Sequence, residues 1–132
     1  IKMLFKELLK NTGLSNRESA AFLKVSVDTV KSWASGRRTC PQGVLIELCS
    51  LIEKQKICAK NVINIIKFNA DVENYELGFC CDDDEAQRLG FPFKSAHDAV
   101  LRMVLLDLKY YDILKIKLVP RGSTLPTAAA EI

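Results

Sequence analysis

The segment from Leu14 to Arg38 constrains this 132-residue chain more than any other. Ser15-Asn-Arg-Glu18 has the capping-box pattern: the serine hydroxyl accepts from a backbone amide while the glutamate reaches back to the serine amide. A helix starting there turns Ala20 and Leu23 inward, and the small Ala20 lets another helix approach closely. Lys24-Val25-Ser26 then reads as a tight turn, with Ser26 as the N-cap of a helix over residues 27–35. Val30 and Trp33, three apart, form that helix's buried face. Val27, Asp28, Lys31 and Ser32 are left on the other side. Gly36 ends the helix, and Arg37-Arg38 follow. Two short helices, a tight turn and a basic pair make a helix-turn-helix pattern, which presents its second helix to a major groove. Nucleic acid is therefore the first partner to consider.

The remaining elements follow from periodicity and punctuation. Leu4, Phe5, Leu8 and Leu9 form an apolar stripe over residues 3–10, stopped by Asn11-Thr12-Gly13 with Gly13 as a left-handed cap. Pro41 suits the first turn of a fourth helix, which runs to about Phe68 without another proline. Leu45, Leu48, Ile52, Ile63 and Ile66 supply its stripe, and the polar cluster Glu53-Lys-Gln-Lys56 is where it could break. Tyr75, Leu77 and Phe79 alternate with Glu76 and Gly78 as in a strand. Asp82 to Glu85 places negative charge at the start of a short helix ending near Leu89-Gly90. Ser95-Ala-His-Asp98 reads as another capping-box-like start, followed by an apolar helix through Leu108. Residues 113–119 alternate again, with Leu114, Ile116 and Leu118 on one face and Lys115 and Lys117 on the other. Two strands joined through helices are parallel if adjacent, and a two-stranded sheet alone is marginal.

The expected fold class is thus mainly α. A helix-turn-helix bundle of four helices, residues 1–68, precedes a small α+β (β-α-α-β) unit, residues 69–119, and a tail, 120–132. Leu118-Val-Pro-Arg-Gly-Ser123 is identical to a thrombin cleavage sequence used in recombinant proteins, so part of the tail is a candidate scar, and residues 120–132 are assigned no function.

Charge separates along the chain. Residues 1–68 hold twelve Lys/Arg against five Asp/Glu (net +7), and residues 69–132 hold seven against eleven (net −4). That asymmetry suits a first half facing a polyanion. No apolar run reaches membrane-spanning length, and no signal-peptide pattern opens the sequence, so the expectation is a cytoplasmic protein that makes no membrane contact. The five cysteines contain no Cys-x-x-Cys pair and read as reduced thiols. Cys49 and Cys58 should pack as small hydrophobes. Cys80-Cys81 beside Asp82–Asp84, with His97 further on, lacks the ligand spacing zinc requires. The single histidine, His97, is expected to be exposed at a helix start. There is no nucleophile motif and no glycine-rich phosphate loop, so neither an enzyme nor a cofactor is expected.

Over about residues 3–54 the chain resembles the Cro and phage-repressor (XRE-like) regulators. Asn16 stands where that family commonly has a phosphate-fixing glutamine, and Ala20 is its small packing residue. Val25 and Val30 fill the apolar sites flanking the capping serine, and Trp33 takes the buried position late in the recognition helix. Ser35-Gly36-Arg37 is similar to the family's Asn-Gly-Lys/Arg ending, and Pro41 to the proline opening its next helix. Lys24 departs from the glycine frequent at the turn and demands a strained backbone or a slightly different turn.

The resemblance implies a sequence-specific regulator, a homodimeric repressor of an inverted-repeat operator, with double-stranded DNA as partner. Val27, Asp28, Lys31 and Ser32 are the base-reading candidates, and Asn16, Arg17, Thr29, Arg37 and Arg38 the phosphate-binding ones. Val100, Val104, Leu105, Leu108 and Ile116 are candidates for the dimer contact. Two rival readings differ in kind. One is a protein-interaction module, antitoxin-like or anti-activator, working through the acidic half. The other is a thiol or metal sensor using Cys80 and Cys81.

Overall fold

Seven helices and two strands follow one another along residues 4–69 and 71–123, the residues that the computed structural model describes. The protein is mainly helical with one small parallel sheet. Residue 3, expected in the first helix, and the tail from Thr124 onward lie outside the described residues. The chain divides into two compact units, Ile1–Lys54 and Gln55–Ile132. The division falls inside the long helix at the Glu53–Lys56 polar cluster, not at that helix's end. Backbone hydrogen bonding carries the helix across the polar cluster, while its buried side chains change environment there. Counted by these units the charges are nine basic against five acidic residues (net +4) and ten against eleven (net −1), so the asymmetry is milder than the expected halves suggested.

In the first unit, α1 (Leu4–Thr12) ends where the Thr12 hydroxyl donates to the Leu9 carbonyl at 2.6 Å and accepts from the Leu14 amide at 3.2 Å. Gly13 follows at φ 79°, the left-handed region that favours glycine. The next two helices, α2 (Asn16–Leu23) and α3 (Val27–Ser35), pack on each other, and α1 packs on α3. Phe5 meets Trp33 edge-on at 5.5 Å between ring centres. Around that pair Leu9, Leu14, Ala20, Leu23 and Val30 are buried, and α4 (Gln42–Phe68) adds Leu48, Leu51 and Ile52. Cys49 is exposed on α4, which corrects the expectation that it packs inward; Cys58 is buried as expected.

In the second unit, β1 (Tyr75–Phe79) and β2 (Ile116–Pro120) pair in parallel, with Leu77 beside Leu118 and Gly78 beside Val119. The Arg121 amide extends the ladder by donating to the Phe79 carbonyl at 2.9 Å. Between the strands lie α5 (Asp83–Arg88), α6 (Lys94–Asp107) and a single turn, α7 (Tyr110–Ile113), which the sequence pattern did not indicate. Asp82 caps α5 by accepting from the Glu85 amide at 2.8 Å. The expected capping box at Ser95 is not formed: α6 begins at Lys94 without a side-chain cap, and Asp98 pairs with Lys94 at 2.9 Å instead. In the distal half of α4, Cys58, Ala59, Val62, Ile63 and Ile66 are buried. Gln55, fully buried, donates to the Ala96 carbonyl at 2.9 Å. The single Tyr75 hydroxyl proton is shared between the Ile66 carbonyl in the last turn of α4 and the Asn69 carbonyl just after it.

Three expectations for this unit are corrected. Val100, Val104 and Leu108 are buried in the unit's own core, so they present no face to a second molecule; Leu105 and Ile116 are half-buried. Within the unit α6 packs on β1 and α5. His97 is buried, not exposed, because it shares the α6 face with Val100, Leu101 and Val104. Leu114 and Leu118 are exposed while Val119 is buried, so the alternating leucines of the last strand are not its inward set. Leu114 caps α7 and never enters the strand.

Leu118, Val119 and Pro120 are strand residues, and Arg121 is ion-paired to Glu85 at 3.3 Å with both side chains mostly covered. The first four residues of the thrombin-like sequence are therefore part of the packed unit.

Candidate nucleic-acid interface

The candidate interface is built by two caps and one left-handed residue. Ser15 accepts from the Glu18 amide at 3.1 Å, and Glu18 accepts from the Ser15 amide at 3.0 Å, so both halves of the capping box form. At the end of α2, Lys24 adopts φ 58°, ψ 44°, the left-handed conformation that its position demands of a residue that is not glycine. Its turn is closed by the Val25 amide donating to the Ala20 carbonyl at 3.0 Å. Ser26 then caps α3 by accepting from the Thr29 amide at 3.1 Å. Because the caps satisfy amides at both helix starts, each helix is held as a short rigid piece despite its length.

With Val30 and Trp33 buried, the opposite face of α3 is set. Asp28 and Lys31 are exposed and Val27 is half-buried. Asn16 and Arg17 are exposed at the start of α2. These five stand as the sequence placed them. Ser32 does not: it is 2% exposed, which corrects its assignment as a base-reading group. The helix repeat puts Ser32 about 200° around the axis from Val30 and about 100° from Trp33, at the flank of the buried face. The returning loop closes on it there. The Arg38 amide donates to the Ser32 carbonyl at 3.2 Å, the Ser35 hydroxyl donates to the same carbonyl, and an Arg37 guanidinium nitrogen donates to the Ser32 hydroxyl.

Thr29 is likewise engaged. Its hydroxyl lies 2.8 Å from that of Ser26 and accepts from the Arg38 guanidinium at 3.1 Å. Arg37 and Arg38 are exposed, and among the described residues neither is in an ion pair. The result is a ledge of α3 carrying two uncompensated guanidinium groups, each tied to a hydroxyl of that helix. These ties were not legible in the sequence, since they depend on how the loop after Gly36 folds back.

The other candidate constellation separates. Cys80 is fully buried and its thiol is pushed up to about 11, first by burial and then by the Glu85 carboxylate. Cys81 is exposed, with its amide donating to Glu85 Oε2 at 2.9 Å. One thiol points in and the other out. No group of three or more His, Cys, Asp or Glu side chains among the described residues could hold a metal ion. His97 lies edge-on to Phe91 at 5.6 Å, and neither ring nitrogen has a hydrogen-bond partner. Burial first, then the Arg121 charge, hold its pKa below the ordinary 6.5. The signal that would have found it is phase: His97 precedes Val100, Leu101 and Val104 by three, four and seven residues.

No helix among the described residues is long and apolar enough to cross a membrane. No protein-family model, curated protein or solved structure matches the chain.

Proposed function

We propose that the first unit is a helix-turn-helix domain with α3 as its recognition helix, and that the protein is a sequence-specific DNA-binding regulator. The single observation that carries this reading is the exposed face around α3. Asp28 and Lys31 project from a helix whose other side is anchored by Val30 and Trp33, Arg37 and Arg38 are tied to that helix without carboxylate partners, and Arg17 is exposed at the start of α2. A neutral fold has no need to collect cations there, and a duplex supplies the missing charge. In this reading Asn16, Arg17, Thr29 and Arg38 hold the phosphate backbone, while Val27, Asp28 and Lys31 face base edges.

The regulator acts as a homodimeric repressor in the cytoplasm, its two recognition helices about 34 Å apart on an inverted repeat. The second unit joins the copies. Its exposed apolar side chains, among them Leu106, Tyr110 and Leu114, favour a protein partner there, and the same observation favours the second reading, a module that engages a different protein.

Binding to random-sequence and selected duplexes across a salt series tests the proposal. Selection of a palindromic site, with affinity falling steeply as salt rises, is the expected result. Binding that ignores salt, or no binding beside a co-purifying protein, refutes it in favour of the interaction module.

A further inference from the structure

We infer that Arg37 reads a guanine in the major groove, with Ser32 as its positioning residue. The inference rests on the DNA-binding reading above and assigns its specificity. A phosphate contact needs only a mobile positive charge at the edge of the interface. Arg37 is instead folded back onto the recognition helix itself: a guanidinium nitrogen donates to the Ser32 hydroxyl, and the Arg37 amide donates to the Ser35 hydroxyl at 3.3 Å. Ser32 lies on the side of α3 turned away from Val30, one helical turn after Asp28. A guanidinium held there travels into the groove with the helix.

Ser32 itself is too buried to reach a base edge, so readout at this position passes to the group that covers it. The guanidinium has five donors in a planar fork. Ser32 engages one nitrogen, and no carboxylate competes for the others. That fork matches the paired O6 and N7 acceptors of guanine, and holding it in advance reduces the ordering cost of the contact. Arg38 differs. Its anchor is Thr29, on the flank of α3 and linked to the Ser26 cap, which suits a backbone contact.

The test uses the full chain. Sites are selected from a random pool with the parent protein, and affinities are then measured for the selected duplex and for duplexes with single G·C pairs changed to A·T. Arg37→Lys keeps the charge and loses the fork. It is expected to erase the preference at one symmetric guanine, a ratio of about 5- to 150-fold, while binding to bulk DNA and its salt slope stay unchanged. Ser32→Ala is expected to reduce the same ratio and no other. Circular dichroism and Trp33 fluorescence check that both variants fold.

If Arg37→Lys leaves every ratio intact, and Arg37→Ala weakens all sequences alike while lowering the salt slope by about one, Arg37 is a phosphate contact and the assignment is overturned. An unchanged ratio in Ser32→Ala overturns the positioning role. A parent protein that selects no sequence at all overturns the regulator reading itself, which is a distinct outcome.

Discussion

Replacing His97 with leucine should stabilise the second unit and remove its sensitivity to mild acid. The imidazole is 0% exposed and neither nitrogen is hydrogen-bonded. A buried polar atom left without a partner costs about 1–3 kcal/mol, and the neutral ring has one donor and one acceptor in that state. Leucine removes both while keeping similar bulk. It forfeits the edge-on contact with Phe91, worth about 0.5–1.5 kcal/mol. With both atoms removed, the net gain is about 0.5–5.5 kcal/mol, which for a unit of this size raises the melting temperature by several degrees or more.

The pH dependence has a definite sign. Burial and Arg121 lower the folded pKa below the ordinary 6.5, with Lys94 acting in the same direction and Asp98 and Glu85 against it. The unfolded chain therefore binds a proton near pH 6.5 that the folded chain refuses. Stability is fully present above that value and declines as pH falls toward the lowered folded pKa, by up to about 1.4 kcal/mol per pH unit. Urea unfolding followed by far-ultraviolet circular dichroism at about pH 7.5 and 5.5, with hydrogen exchange of the α6 amides, measures both effects. The sole tryptophan lies in the first unit, so its fluorescence reports that unit separately. A His97→Leu protein that is less stable than the parent, and keeps the parent's acid slope, would show that the ring nitrogens are satisfied and refute the reasoning.

Lys24→Gly should stabilise the first unit by about 0.5–1 kcal/mol, because a left-handed backbone at φ 58° strains any residue with a Cβ; the Trp33 fluorescence midpoint in urea reads this. Ser26→Ala should cost about 1 kcal/mol in the same assay by removing the α3 cap, and it should weaken DNA binding by loosening Thr29 and Arg38. Arg121→Ala should destabilise the second unit by about 1–3 kcal/mol, since its ion pair with Glu85 is mostly covered; circular dichroism melting checks it, and a neutral outcome would mean that this ion pair adds nothing to the fold. Leu106→Asp with Leu114→Asp should turn dimers into monomers on light scattering without lowering the melting temperature, because both side chains are at least four-fifths exposed.

Local chemistry was legible from the residues alone. Ser15 with Glu18, Ser26, Gly13, Gly36 and Asp82 each announce a helix boundary through a hydrogen bond or backbone conformation completed within a few residues, so no distant partner is needed to predict it. The alternation in Tyr75–Phe79 and the spacing of Val30 and Trp33 follow from the two- and 3.6-residue repeats in the same way. Where a side chain's fate depends on segments far along the chain, the pattern was silent or misleading. Ser32 is buried at the edge of its helix's inward face, where the Arg37 guanidinium reaches its hydroxyl and the Arg38 amide its carbonyl. His97 is polar by composition and buried by phase, and Leu114 continues an apolar alternation that a turn of helix interrupts. Val100 and Val104 were candidates for a second molecule, yet both are fully buried within the second unit. The sequence by itself determined which segments become helices, where they stop and which stripe of each is apolar, since those depend on neighbours within one or two turns. Only the tertiary structure decided which apolar stripes are consumed and which outer positions are roofed over, because burial depends on what else in the chain competes for the same surface.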